Sequence, residues 1–146
     1  MKTLLAIICL LVAYTAFAGS ADAIIKGKTS SERTNLEISV GDISGLIRYV
    51  RFTIDGETIE IADGSKDVYQ TVIHDPQNGI YVLVIEDSTA KFVLWMIPGT
   101  EKVSEEGPGY YKSRFAAVIQ GTDPRRDSKY EFTSQIVIGC TLDWRI

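Results

Sequence analysis

Histidine and cysteine are nearly absent from this chain, with one His and two Cys among 146 residues. A zinc centre built from the usual His and Cys ligands therefore lacks its residues within one chain, and a disulfide-stapled scaffold lacks its cysteines. Proline is scarce at four, and the twelve glycines follow no repeat, which excludes a collagen-like or low-complexity chain. Neither charge sign is in large excess. Fifteen basic and nineteen acidic residues give −4, which does not suit a broad nucleic-acid-binding face. Also missing are a Gly-x-Ser-x-Gly elbow, a Gly-rich phosphate loop, a dinucleotide fingerprint and an Asn-x-Ser/Thr acceptor. With 45 % hydrophobic and 23 % charged residues, what remains is one ordinary globular domain.

The first eighteen residues read as a leader. Lys2 supplies a positive start, Leu4 to Val12 is an unbroken apolar run, and Ala16-Phe17-Ala18 places small residues where a signal peptidase cuts. Ala21-Asp22-Ala23 is a second such site, so cleavage is predicted after Ala18, with Ala23 as the alternative. The apolar stretch falls short of the ~20 residues that comfortably span a bilayer, so no transmembrane segment is expected after cleavage. Export to a periplasm or to the extracellular space follows. Cleavage removes Lys2 and Cys9, moving the charge from −4 to −5 and leaving Cys140 as the single thiol. An internal disulfide is then impossible, and stability must come from the core.

Beyond the leader, residues 19–34 are polar enough to predict a flexible N-terminal segment, followed by a single β domain over 35–146. Apolar and polar residues alternate along Leu36–Val40, Ile43–Ile54, Glu57–Ile61 and Val68–Ile73, the period of a half-buried strand. Asp55-Gly56 is a two-residue hairpin signal, because both central positions of that turn need positive φ. Ile80–Ile85 and Lys91–Ile97 are apolar on both faces, which predicts strands covered on both sides. Tyr111–Gln120 and Tyr130–Trp144 alternate again, the last long enough to predict a bend at Gly139. No ten-residue stretch of the domain has a helical period. The prediction is all-β: an antiparallel meander of about eight or nine strands folded into a sandwich or a barrel.

The candidate chemistry is thin. His74 and Asp75 are neighbours in a strand and point to opposite faces, which suits a surface histidine better than a base and its orienter. Cys140 alternates with Ile138, Leu142 and Trp144 and so faces the core as filler. Asp63, Asp67 and the nearby acids lack the alternating spacing of a calcium loop. No metal or cofactor is expected.

Two surface features invite contact. The interruption from Pro98 to Tyr111 is predicted to be a long loop ending in Tyr110 and Tyr111, with Lys112 following, and Tyr beside a cation makes good recognition chemistry. Arg125 and Arg126 form a local positive spot at the last hairpin tip, suited to a phosphate, an acidic sugar or an acidic partner. The resulting expectation is an exported, non-catalytic binding module. It would contact a partner protein or a surface polymer, but not nucleic acid, through the 98–111 loop, the hairpin tips or a sheet face. Nothing points to a particular oligomeric state. A small-ligand carrier with an apolar barrel interior around Trp95, Phe115 and Phe132 is the alternative, and a small hydrolase built on carboxylates or His74 ranks last.

Overall fold

A computed structural model of the chain describes residues 23–41, 45–62, 67–75, 78–126 and 135–145. The leader and both of its cleavage sites lie outside these residues, apart from Ala23. Ten antiparallel strands make one curled half-barrel sheet: β1 Ala23–Lys28, β2 Thr34–Val40, β3 Ile47–Ile54, β4 Glu57–Ala62, β5 Tyr69–Asp75, β6 Ile80–Glu86, β7 Lys91–Met96, β8 Lys102–Gly107, β9 Tyr110–Gly121 and β10 Ile136–Arg145. The order across the sheet is β4-β3-β2-β1-β10-β9-β7-β6-β5, with β8 also on β9. Two meanders are thus joined where the first strand pairs with the last. β9 is long enough to hold two partners on one edge, β8 along Tyr110–Arg114 and β7 along Ala117–Gly121.

The two-residue period sorts the faces. Inward go Ile25, Ile38, Val50, Phe52, Leu83, Ile85, Phe92, Leu94, Phe115, Ile119, Ile138, Cys140 and Leu142, all buried. The curl brings the halves together over this core, with the Phe52 and Phe92 rings 5.8 Å apart across it. Among the described residues the sheet does not close. Beyond the end of β4, the free N–H of Ile47 donates to the Gln70 side-chain carbonyl at 2.7 Å, so a side chain on β5 caps the β3 edge where a closed barrel would have a backbone ladder. Asp55 and Gly56 adopt φ of 52° and 89°, as the Asp-Gly turn requires.

Several expectations need correction. The segment expected to be flexible contains β1, a central strand paired to both β2 and β10. Its inward side chains are only Ala23, Ile25 and Gly27, too short an alternation to separate from the leader before it. The expected loop from Pro98 to Tyr111 contains β8, joined to β9 by a tight turn with Gly109 at φ 69°. β8 buries neither face, so it shows no hydrophobic period and is held by its pairing to β9. At Gly139, where a bend was expected, the register to both neighbours runs without a bulge. The part of the last strand expected over 130–134, Phe132 included, lies outside the described residues.

Candidate functional site

The residues singled out in the sequence do not converge. Tyr110 and Arg125 sit at opposite ends of the β9 region, more than ~36 Å of extended chain apart. At one end, the Tyr110 hydroxyl donates to Asp143 at 2.9 Å, Lys112 reaches the same carboxylate at 3.5 Å, and Arg145 lies over the Tyr110 ring. Tyr111 stacks on Trp144 with ring centroids 5.6 Å apart. At the other end, Arg125 binds Asp123 through Nε and Nη2 and reaches Asp55 through Nη1 at 2.9 Å. Asp55 also accepts from Arg33 at 2.6 Å. Arg125 is therefore a clasp between the β3–β4 turn and the segment after β9. Its guanidinium holds the Asp123 carboxyl below the usual carboxylate range, against the opposing effect of burial. Arg126 stays exposed.

The interior residues of the carrier alternative also separate. Phe115 faces the core, but Trp95 has the opposite parity and lies on the outer face between Val82 and Val118. The void between the two halves, beside Phe52 and Phe92, measures about 10 Å³, no more than a single water needs. The centre is filled by side chains and leaves no room there for a small apolar ligand. Burial pushes the Cys140 thiol up to about 12, so it stays protonated and unreactive. His74 packs edge-on against Tyr81, ring centroids 5.3 Å apart. Among the described residues no three His, Cys, Asp or Glu side chains gather as a metal-ligand group.

A concavity exists on the outside of the sheet. An open groove of about 910 Å³ crosses the outer face from β8 over β9, β10 and β1 to β2 and β3, a volume within the range of ligand sites. Its floor is low because Ala116 and Gly139 face each other there. Thr100 and Lys102 stand on one side, Asn35 and Thr53 on the other.

The ladders put one continuous cross-strand row along this face. Lys102 lies opposite Arg114, Arg114 opposite Thr141, Thr141 opposite Lys26, Lys26 opposite Glu37, Glu37 opposite Arg51, and Arg51 opposite Glu60. The β2–β4 end of the row is charge-matched. Arg51 binds Glu60 at 2.8 Å and approaches Glu37 at 3.9 Å, and the Tyr49 hydroxyl also donates to Glu37. That hydrogen bond raises the pKa of Tyr49. Glu37 is thus committed to neighbours on β3, and Lys26 opposite it is left over.

The other end carries cations alone. Lys26, Lys102 and Arg114 have no ion-pair partner among the described residues, whereas Lys28 nearby is held by Glu32 at 2.6 Å. Lys102 directly opposite Arg114 places like charges across a ladder, which costs stability. Lysines on an edge strand often serve to prevent edge-to-edge aggregation, which suffices for Lys102 on β8. It does not account for Lys26, on a strand with neighbours on both sides, or for Arg114 on β9.

This row was not visible in the sequence, because its members come from segments up to 115 positions apart in Lys26 and Thr141 and are aligned only by register. The outward parity of Glu37, Arg51, Arg114 and Thr141 was readable; the strands that carry Lys26 and Lys102, and the strand order that assembles the row, were not. No family model matches the chain, and no curated protein or solved structure shows significant similarity to it.

Proposed function

We propose that the protein is an exported, non-catalytic binding module whose contact surface is the outer-face groove, and that its target is anionic. The observation that carries this reading is the set Lys26, Lys102 and Arg114, three cations bordering one concavity and without an ion-pair partner among the described residues, the groove's own carboxylate, Glu37, being engaged by Tyr49 and Arg51. An uncompensated set of like charges costs folding energy and raises the local concentration of an anionic partner. The groove also offers Asn35, Thr53, Thr100 and Thr141 as hydrogen-bonding groups. It has no aromatic platform of the sort that stacks on neutral sugar rings. Contact thus moves from the loop and hairpin tips to a sheet face, since Tyr110, Lys112 and Arg125 are each occupied by an internal carboxylate.

Binding to dextran sulfate, with neutral dextran as the control, tests the reading. The protein should bind the sulfated polymer only. The K26Q/K102Q/R114Q variant should bind about tenfold more weakly or worse, from three contacts worth up to ~1 kcal/mol each. R126Q, at the far end of the sheet, should bind as the parent does. Equal binding by the parent and the triple variant would refute the assignment.

A further inference from the structure

The same outer face holds a second row, and its chemistry is opposite. Ile73 on β5 lies opposite Val82, Val82 opposite Trp95, Trp95 opposite Val118, and Val118 opposite Val137. This is an unbroken apolar line over five strands. Ile73 is 53 % exposed and Val137 61 % exposed at its two ends; between them Val82 and Trp95 are half-buried and Val118 is buried. β6 and β7 were expected to be covered on both faces. Their inner faces are, by the core; over the outer faces no described strand crosses, since all ten belong to the one sheet. An apolar row that surfaces at both ends and partly between them offers apolar area for a contact.

What covers the row is indicated by its neighbour. Along β9 the outward residues run Arg114, Ala116, Val118, and along β10 Thr141, Gly139, Val137. The cationic row and the apolar row are therefore parallel, ~13 Å apart, with only the bare Ala116–Gly139 step between them. An anionic bilayer surface presents the same two chemistries side by side, phosphate headgroups next to acyl chain, and Trp is favoured at that boundary. A soluble polyanion would leave the apolar row unused. A second copy of this chain would bring another unneutralised cation set towards the first.

We infer that the outer face from β5 across β6, β7, β9 and β10 to β1, with β8, docks on a lipid leaflet rich in anionic headgroups, with Lys26, Lys102 and Arg114 taking the headgroups and the Ile73–Val137 row entering the interface. The inference rests on the anionic-target reading of the groove and names the target.

Co-sedimentation of the full chain with vesicles tests it, comparing phosphatidylcholine alone with phosphatidylcholine mixed with phosphatidylglycerol. The chain should bind the mixed vesicles and bind phosphatidylcholine alone at least about tenfold more weakly. The I73S/V137S variant alters two side chains that are mostly exposed, so folding should survive. It should lose about tenfold or more on mixed vesicles yet keep its dextran sulfate binding. K26Q/K102Q/R114Q should lose both. In the W144F variant Trp95 is the single remaining tryptophan, and brominated acyl chains should quench it.

Equal vesicle binding by the parent and I73S/V137S overturns the inference, and this also covers binding through the leader, which is identical in both. Survival of vesicle binding in K26Q/K102Q/R114Q, unquenched Trp95, or a parent that dimerises through the row while binding no vesicle overturns it too. A parent that binds dextran sulfate but no vesicle overturns the lipid inference and leaves the groove reading standing. A parent that binds neither removes both.

Discussion

A Cβ built on Gly27 would lie 2.9 Å from Cys140 Sγ, closer than real side chains approach, and 3.0 Å from Ile138 Cδ1, tighter than most. Gly27 is therefore the partner that lets the thiol fill the core between β1 and β10. Gly27→Ala should destabilise the fold by ~1–3 kcal/mol, the usual cost of overpacking. Cys140→Ala in the same chain should recover part of that loss but not all, because Ile138 still crowds the site; urea midpoints of the two single variants and the double variant measure the coupling. At the far end, Arg125 gives the acid limb of stability its shape. Asp123 is buried and its folded pKa lies below the ordinary value. Its contribution is therefore complete above the ordinary carboxylate pKa of ~4 and is lost as pH falls through the depressed folded value. Arg125→Gln should cost ~1–3 kcal/mol near neutral pH by leaving a buried carboxylate short of its donors. Denaturation measured from neutral to strongly acidic pH should fall less steeply for R125Q than for the parent.

Among the elements, β1 carries the largest consequence for its length. It supplies six residues, and both of its edges are paired. Removing residues through Lys28 would part β2 from β10 and expose two central edges, a template for aggregation. A chain beginning at Gly19 keeps β1 whole and is expected to unfold cooperatively; one beginning at Thr29 is expected to aggregate or to lose its cooperative transition, as followed by tryptophan fluorescence.

The elements also show where sequence periodicity succeeds and where it stops. Parity placed Phe115, Ala117 and Ile119 with Ile138, Cys140 and Leu142 on the buried face, because each alternation is long and one-sided. It missed β8, whose side chains are nearly all exposed, because a strand held by backbone pairing alone leaves no hydrophobic trace. It put Trp95 inside because β7 is apolar on both faces and parity without strand order does not say which face is the core. The Asp55-Gly56 turn was legible to the residue, since its signal is local backbone chemistry.

At the scale of the molecule, strand order is what makes a site. The pairing of β1 with β10 brings Lys26 beside Thr141 and Arg114, and the sharing of β9 by β7 and β8 adds Lys102 to the cationic row and Trp95 to the apolar one. The core explains why the concavity is on the outside. With Phe52 and Phe92 in contact across the curl, the interior is committed to stability, and the groove lies on the outside. An acidic chain with a local cation row should recognise its target by charge, and charge is screened by salt.

The salt dependence of dextran sulfate binding, compared between the parent and K26Q/K102Q/R114Q, tests this most directly. The affinity of the parent should fall steeply as salt rises, and the triple variant should lose roughly three units of the log–log slope, one for each cation removed. Parallel slopes in the two proteins would contradict the account, because the polymer would then be held somewhere other than the groove.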